Sequence, residues 1–193
     1  MTDPTPGSGS AGAAGRGRLP ANIRIGAVLA VAAAAAVIVW LIVKDDGGGS
    51  KCGTAARAAA PRDLRAFAES ESIPVYWAGP RPGFTYELTE TAKCNVYIRY
   101  LPSGVEIGDR RPDYTTIGTY PYKNAYSTLQ ALGTRTGTRV RRVAGGGIVV
   151  VSSQSPKSVY LGFPGQDYQV EVYDPSARRA LRLATSGRVR PVP

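Results

Sequence analysis

Large apolar side chains fall along this chain in three regimes. They are almost absent from residues 1–24, unbroken by charge from Ile25 to Val43, and from about residue 54 onward interleaved with polar residues in short runs bounded by Gly and Pro. The first stretch cannot bury enough apolar surface to offset the entropy of ordering it, which predicts a disordered tail over 1–24. The second, IGAVLAVAAAAAVIVWLIV, has no polar face for a buried helix to turn outward. At 1.5 Å per residue it extends about 28 Å, which predicts a transmembrane helix over 25–43 with Trp40 at headgroup level. The Gly-rich run KDDGGGSKCG predicts a flexible linker over 44–53, leaving a folded domain over 54–193.

Within that domain the periodicity changes from element to element. Pro61–Ala68 puts Leu64, Phe67 and Ala68 on one helical face, with Pro in the first turn and Ile73-Pro74 as the stop. Strands are predicted over 75–78, 84–89, 95–101 and 114–120, the third by strict alternation, with 102–113 as a loop. Asn124 is placed to cap a helix through Leu132, closed by Gly133. Two hairpins follow, 138–143 with 148–152 and 158–163 with 168–173. A last helix is capped by Asp174, with Pro175 in its first turn, and the tail 188–193 is extended. Strands grouped in hairpins, with no crossover helix between each pair, predict an α+β domain.

Residues 75–88 (VYWAGPRPGFTYEL) align without gaps on 159–172 (VYLGFPGQDYQVEV), with Val75/Val159, Tyr76/Tyr160, Pro80/Pro164 and Glu87/Glu171 identical. Two related hairpin-plus-helix halves would explain this, and so would the recurrence of hairpin chemistry by chance.

Charge orients the anchor. Arg16, Arg18 and Arg24 precede it, whereas Asp45 and Asp46 follow Lys44, so the positive-inside rule places the N-terminus in the cytoplasm and the domain outside. The apolar run is longer than a secretory signal, and no small-x-small cleavage site follows it, which makes it an uncleaved signal anchor. Lys51 before Cys52 breaks a lipidation pattern. An extracytoplasmic compartment turns Cys52 and Cys94 into a possible disulfide across the linker end; a bridge to another molecule and a redox pair are the alternatives.

The chain contains no His, which removes the usual Ser-His-Asp, Cys-His and His-ligated zinc arrangements, and two Cys make no zinc site unless carboxylates complete it. No catalytic, cofactor-binding or metal-ligating set is identified, and no cofactor is implied. Gly145-Gly146-Gly147 precedes a strand and predicts a turn, not a phosphate loop. A Ser–Lys dyad of Ser155 or Ser158 with Lys157 fits ordinary loop chemistry better. Glu87 and Glu171 are the one candidate acid/base pair, set against solvent-facing strand positions. The formal charge is +10, and residues 135–193 hold ten basic residues against three acidic ones. Arg139 and Arg141 share one face of a strand, and Arg178, Arg179 and Arg182 cluster on the last helix, which together predict a basic patch.

The stretches PVYWAGPRPGFTYELTE, VYIRYLPSGVEIGD and SVYLGFPGQDYQVEVYDPS resemble uncharacterised single-pass membrane proteins of high-GC Gram-positive bacteria. That resemblance implies an envelope location and no activity. The expected function is a non-enzymatic envelope protein that meets the lipid bilayer through its anchor. Its basic surface would bind an anionic envelope polymer, lipid headgroups or another membrane protein, with nucleic acid disfavoured by the compartment. A carboxylate-based envelope hydrolase and a transmembrane signalling partner are the alternatives.

Overall fold

The computed structural model describes residues 52–71 and 74–193. The expected tail, the transmembrane helix and nearly all of the linker lie outside the described residues. Among the described residues no helix is long and apolar enough to cross a membrane.

The described chain is an α+β unit organised on one antiparallel sheet. Its elements run β1 (Thr54–Ala59), α1 (Pro61–Ser70), β2 (Tyr76–Trp77), β3 (Phe84–Glu90), β4 (Val96–Pro102) and β5 (Thr116–Pro121). They continue with α2 (Ala125–Gly133), β6 (Thr138–Arg142), β7 (Ile148–Ser152), β8 (Ser158–Gly162), β9 (Tyr168–Tyr173), α3 (Ala177–Thr185) and β10 (Arg190–Pro191). Eight strands lie in the order β1-β3-β4-β5-β9-β8-β7-β6, and β10 pairs with β2 in a separate two-stranded ribbon. Two meanders, β3-β4-β5 and β6-β7-β8-β9, thus meet at the β5–β9 pair, where Ile117 lies opposite Val172. Gly or Pro marks the connections within the second meander, whereas β3 turns to β4 through Cys94 at φ 58° and β4 reaches β5 by a long loop over 103–115.

Alternation decides which side chains meet. One face gathers Tyr86, Leu88, Ile98, Tyr100, Ile117, Val170, Val172, Val159, Leu161 and Val149 into the main core. Over it lie α1 through Leu64 and Phe67, the β2–β10 ribbon through Tyr76 and Trp77, and α3 through Ala180 and Ala184. The small alanines let α3 sit close on β7, β8 and β9. On the other face α2 covers only the β6–β9 half, packing Leu129 against Ile148, Val150 and Tyr160. Gly162 makes that approach possible, because a Cβ there would stand 2.8 Å from Leu129 Cδ1 and 3.3 Å from Tyr126 Cα.

Several sequence expectations are corrected. Residues 54–59 form the edge strand β1, paired to β3 from Thr54↔Glu90 to Ala59↔Tyr86, where no strand was expected. Only 159–172 of the two aligned windows is a hairpin; in 75–88, β2 pairs with β10 (Arg190↔Trp77) and β3 pairs with β1 and β4. The shared premise of two equivalent hairpins therefore fails: the extended tail competes successfully for β2. Asn124 stands before α2 but at φ 58°, with no side-chain cap; its backbone N–H donates instead to Asp167 Oδ1 at 2.8 Å. The cap of α3 is Ser176 rather than Asp174, whose carboxylate accepts from Ser176 N–H at 2.8 Å.

Candidate functional site

The edge strand β6 and the helix α3 frame the site. In β6, Arg139 lies opposite Val151 and Arg141 opposite Val149. Val149 belongs to the main core, so both arginines rise from the face that α3 covers. Along α3, Arg178 and Arg182 are one turn apart on the side toward β6, while Ala180 and Ala184 point into the core. The result is a groove of about 570 Å3 lined by Arg139, Arg141, Arg178 and Arg182 on its rim and by Val151, Ala177, Leu181 and Pro156 as its apolar lining. No described residue lining it is acidic.

Four guanidinium groups without a carboxylate between them raise the local potential, and each offers planar donors suited to phosphate or carboxylate oxygens. Four of the five arginines expected in a basic patch therefore line one groove. The fifth, Arg179, does not: its Nε donates to Asp174 Oδ1 at 2.9 Å, and Asp174 also accepts from Thr115 Oγ1 at 2.7 Å. Arg179 faces a second, smaller groove of about 290 Å3, which also holds Arg81, Arg188 and Asp174 and shares Arg182 with the first.

Cys52 and Cys94 are joined in a disulfide, with Cα atoms 5.2 Å apart. Beside the bridge, Glu90 is buried and its Oε2 accepts from Gly53 N–H at 3.0 Å. Both sulfurs are committed to the disulfide, so the cluster of Cys52, Glu90 and Cys94 presents one carboxylate and no thiolate. The neighbouring Glu71 has its pKa raised, first by burial and then by the negative charge of Glu90.

Glu87 and Glu171 are neither solvent-facing nor a pair. Glu87 is fully buried, receives Arg99 Nη1 at 2.6 Å and Gly108 N–H at 2.5 Å, and so straps the loop after β4 over the sheet. Arg99 also donates to the Arg111 carbonyl at 3.0 Å and stacks over the Tyr114 ring. Glu171, 1% exposed, accepts a short hydrogen bond from the Tyr120 hydroxyl. Its Oε1 and the nearby Ser158 and Tyr160 hydroxyls make no close hydrogen bond, and burial raises its pKa. Three strand spacings (Glu87↔Arg99↔Thr116↔Tyr173) and a two-residue step from Tyr173 to Glu171 separate the two acids, roughly 16 Å, which exceeds the reach of a glycosidase pair. Ser158 turns into the core toward Glu171, so it forms no dyad with exposed Lys157.

Alternation puts Glu87 on the face of Thr85 and Thr89, a polar face that reads as solvent-facing. Nothing local signalled that a loop would roof that face. No protein family, curated protein or solved structure matches the chain.

Proposed function

We propose that this chain is a membrane-anchored envelope protein whose extracytoplasmic domain binds an anionic ligand, without catalysis, through the groove between β6 and α3. The observation that carries the reading is the convergence of Arg139, Arg141, Arg178 and Arg182 on one groove with no acidic lining residue among those described. A solvated basic face disperses its charges and pairs them, as Arg179 does with Asp174. These four share one concavity, where low-dielectric walls strengthen attraction for an anion. The uncharged run Ile25–Val43, its arginine-rich N-terminal flank and the Cys52–Cys94 bridge support the anchor and the compartment. Cytoplasmic tail, transmembrane helix, linker and domain then follow the boundaries 1–24, 25–43, 44–53 and 54–193. The resemblance to single-pass membrane proteins of high-GC Gram-positive bacteria points to the same location.

The hydrolase alternative loses its basis, because its two glutamates are buried apart and already engaged. Binding of inorganic polyphosphate to the full chain, held in discs of zwitterionic lipid, tests the proposal. Affinity should fall steeply as salt rises from 50 to 500 mM (assay concentrations), because the Debye length shrinks to a few ångströms over about that range. Absence of binding at low salt would remove it.

A further inference from the structure

The groove is not uniformly polar. Val151 and Leu181 are half-buried and pack against the main core, and with Ala177 and Pro156 they give an apolar lining beneath the guanidinium groups. A fully hydrated polyanion would use the rim and leave this lining wet. We infer that the ligand is amphipathic: a single-chain alkyl or acyl phosphate whose head meets Arg139, Arg141, Arg178 and Arg182 while its chain lies on Val151 and Leu181. This rests on the anion-binding reading and specifies its ligand class.

Three features carry it. Phosphate matches the donor geometry of clustered arginines, which can bind it in bidentate fashion. The volume, about 570 Å3, lies within the range of sites that enclose small organic ligands rather than single ions. Each wall of the one concavity carries both kinds of group: on the sheet Val151 of β7 is the cross-strand neighbour of Arg139 of β6, and on α3 Leu181 stands one residue before Arg182. A head and a chain emerging from one ligand would meet both at once.

The test uses the full chain in discs of zwitterionic lipid, titrated with ethyl, butyl, hexyl and octyl phosphate and, separately, with inorganic polyphosphate. Discs carrying a double variant, Arg139→Gln with Arg178→Gln, subtract partitioning into lipid. Specific affinity should rise about fourfold per methylene where the chain is fully covered, about twofold where it is half covered, and then level off when the lining is filled. Val151→Thr keeps the β-branched strand residue but puts a hydroxyl on the apolar lining; it should weaken this chain-length dependence while leaving polyphosphate affinity within about twofold of the parent. Polyphosphate binding combined with affinities independent of chain length would overturn the amphipathic ligand and leave the anion-binding function standing, with a hydrophilic polymer as its ligand. Binding of neither probe would overturn both.

Discussion

Reducing the Cys52–Cys94 bridge, or replacing Cys94 by Ser, perturbs the one covalent tie in the described fold, and the structure says where the effect should appear. The bridge closes a loop with a sequence separation of 42 residues. In the chain-entropy treatment such a loop is worth about 4 kcal/mol at 25 °C. A domain of roughly 140 residues melts with an entropy of about 0.3 kcal/mol per kelvin, so the loss converts to a fall in Tm of roughly 13 °C. That figure is an upper bound. β1 buries only Ala59 among its six residues, and otherwise contributes backbone pairing to β3 at the sheet edge. A reduced chain can therefore fray β1 without surrendering the core of α1, β3 and β4, and local fraying restores entropy to the native state. Scanning calorimetry with and without a dithiol reductant gives the global number, and hydrogen exchange resolved by residue gives the local one. Expected is a Tm lowered by about 5–13 °C, with amides of Thr54–Ala59 losing protection first and those of Val96–Leu101 retaining it. An unchanged Tm with β1 still protected would refute the bridge as the clamp on that edge.

Three other outcomes follow from the buried polar face. Glu87→Gln leaves Arg99 buried without its counter-charge, and should cost about 3–5 kcal/mol in urea unfolding and speed tryptic cleavage after Arg110; a loss under about 1 kcal/mol would contradict the strap. Glu171 has a raised pKa in the fold, so the folded chain holds its proton more tightly than the unfolded chain does. Its contribution to stability is most favourable below the unfolded carboxylate pKa and declines as pH rises through the window up to the folded value. Glu171→Gln should therefore raise Tm more at pH 7 than at pH 4, and an equal shift at both would show that burial does not govern that proton. Gly118→Ala would put a Cβ 2.6 Å from the Tyr120 hydroxyl oxygen, expelling the ring from its bond to Glu171; circular dichroism in the near ultraviolet and a stability loss of about 1–3 kcal/mol should report it.

Local pattern made most of the elements legible. Val96–Pro102 alternates as a strand should, although both of its faces are buried, and Pro61 with Leu64 and Phe67 marks α1. What alternation could not reveal was partnership. The run TAARAA has little β propensity and almost nothing to bury, so β1 exists because β3 offers an edge and the disulfide holds it there. β2 is two residues long, too short to choose between β3 and a tail more than a hundred residues away. The same limit applied at the site. Charge clustering flagged five arginines, but only the packing of α3 on β7 separated the four that line the groove from Arg179, which Asp174 neutralises. The apolar lining, from Val151 to Leu181, needs β7 and α3 together and is visible in neither segment alone.

The groove is the centre of this account, and one titration addresses it directly: inorganic polyphosphate against the full chain and its Arg139→Gln, Arg178→Gln double variant, at 50 mM salt (assay concentration). Removal of two of four converging charges should weaken binding by about thirty- to several-hundredfold, at about 1–2 kcal/mol for each charge-assisted contact, while Tm stays within about 2 °C of the parent. Equal affinity of parent and variant would contradict the account, because the anion would then be held somewhere other than between β6 and α3.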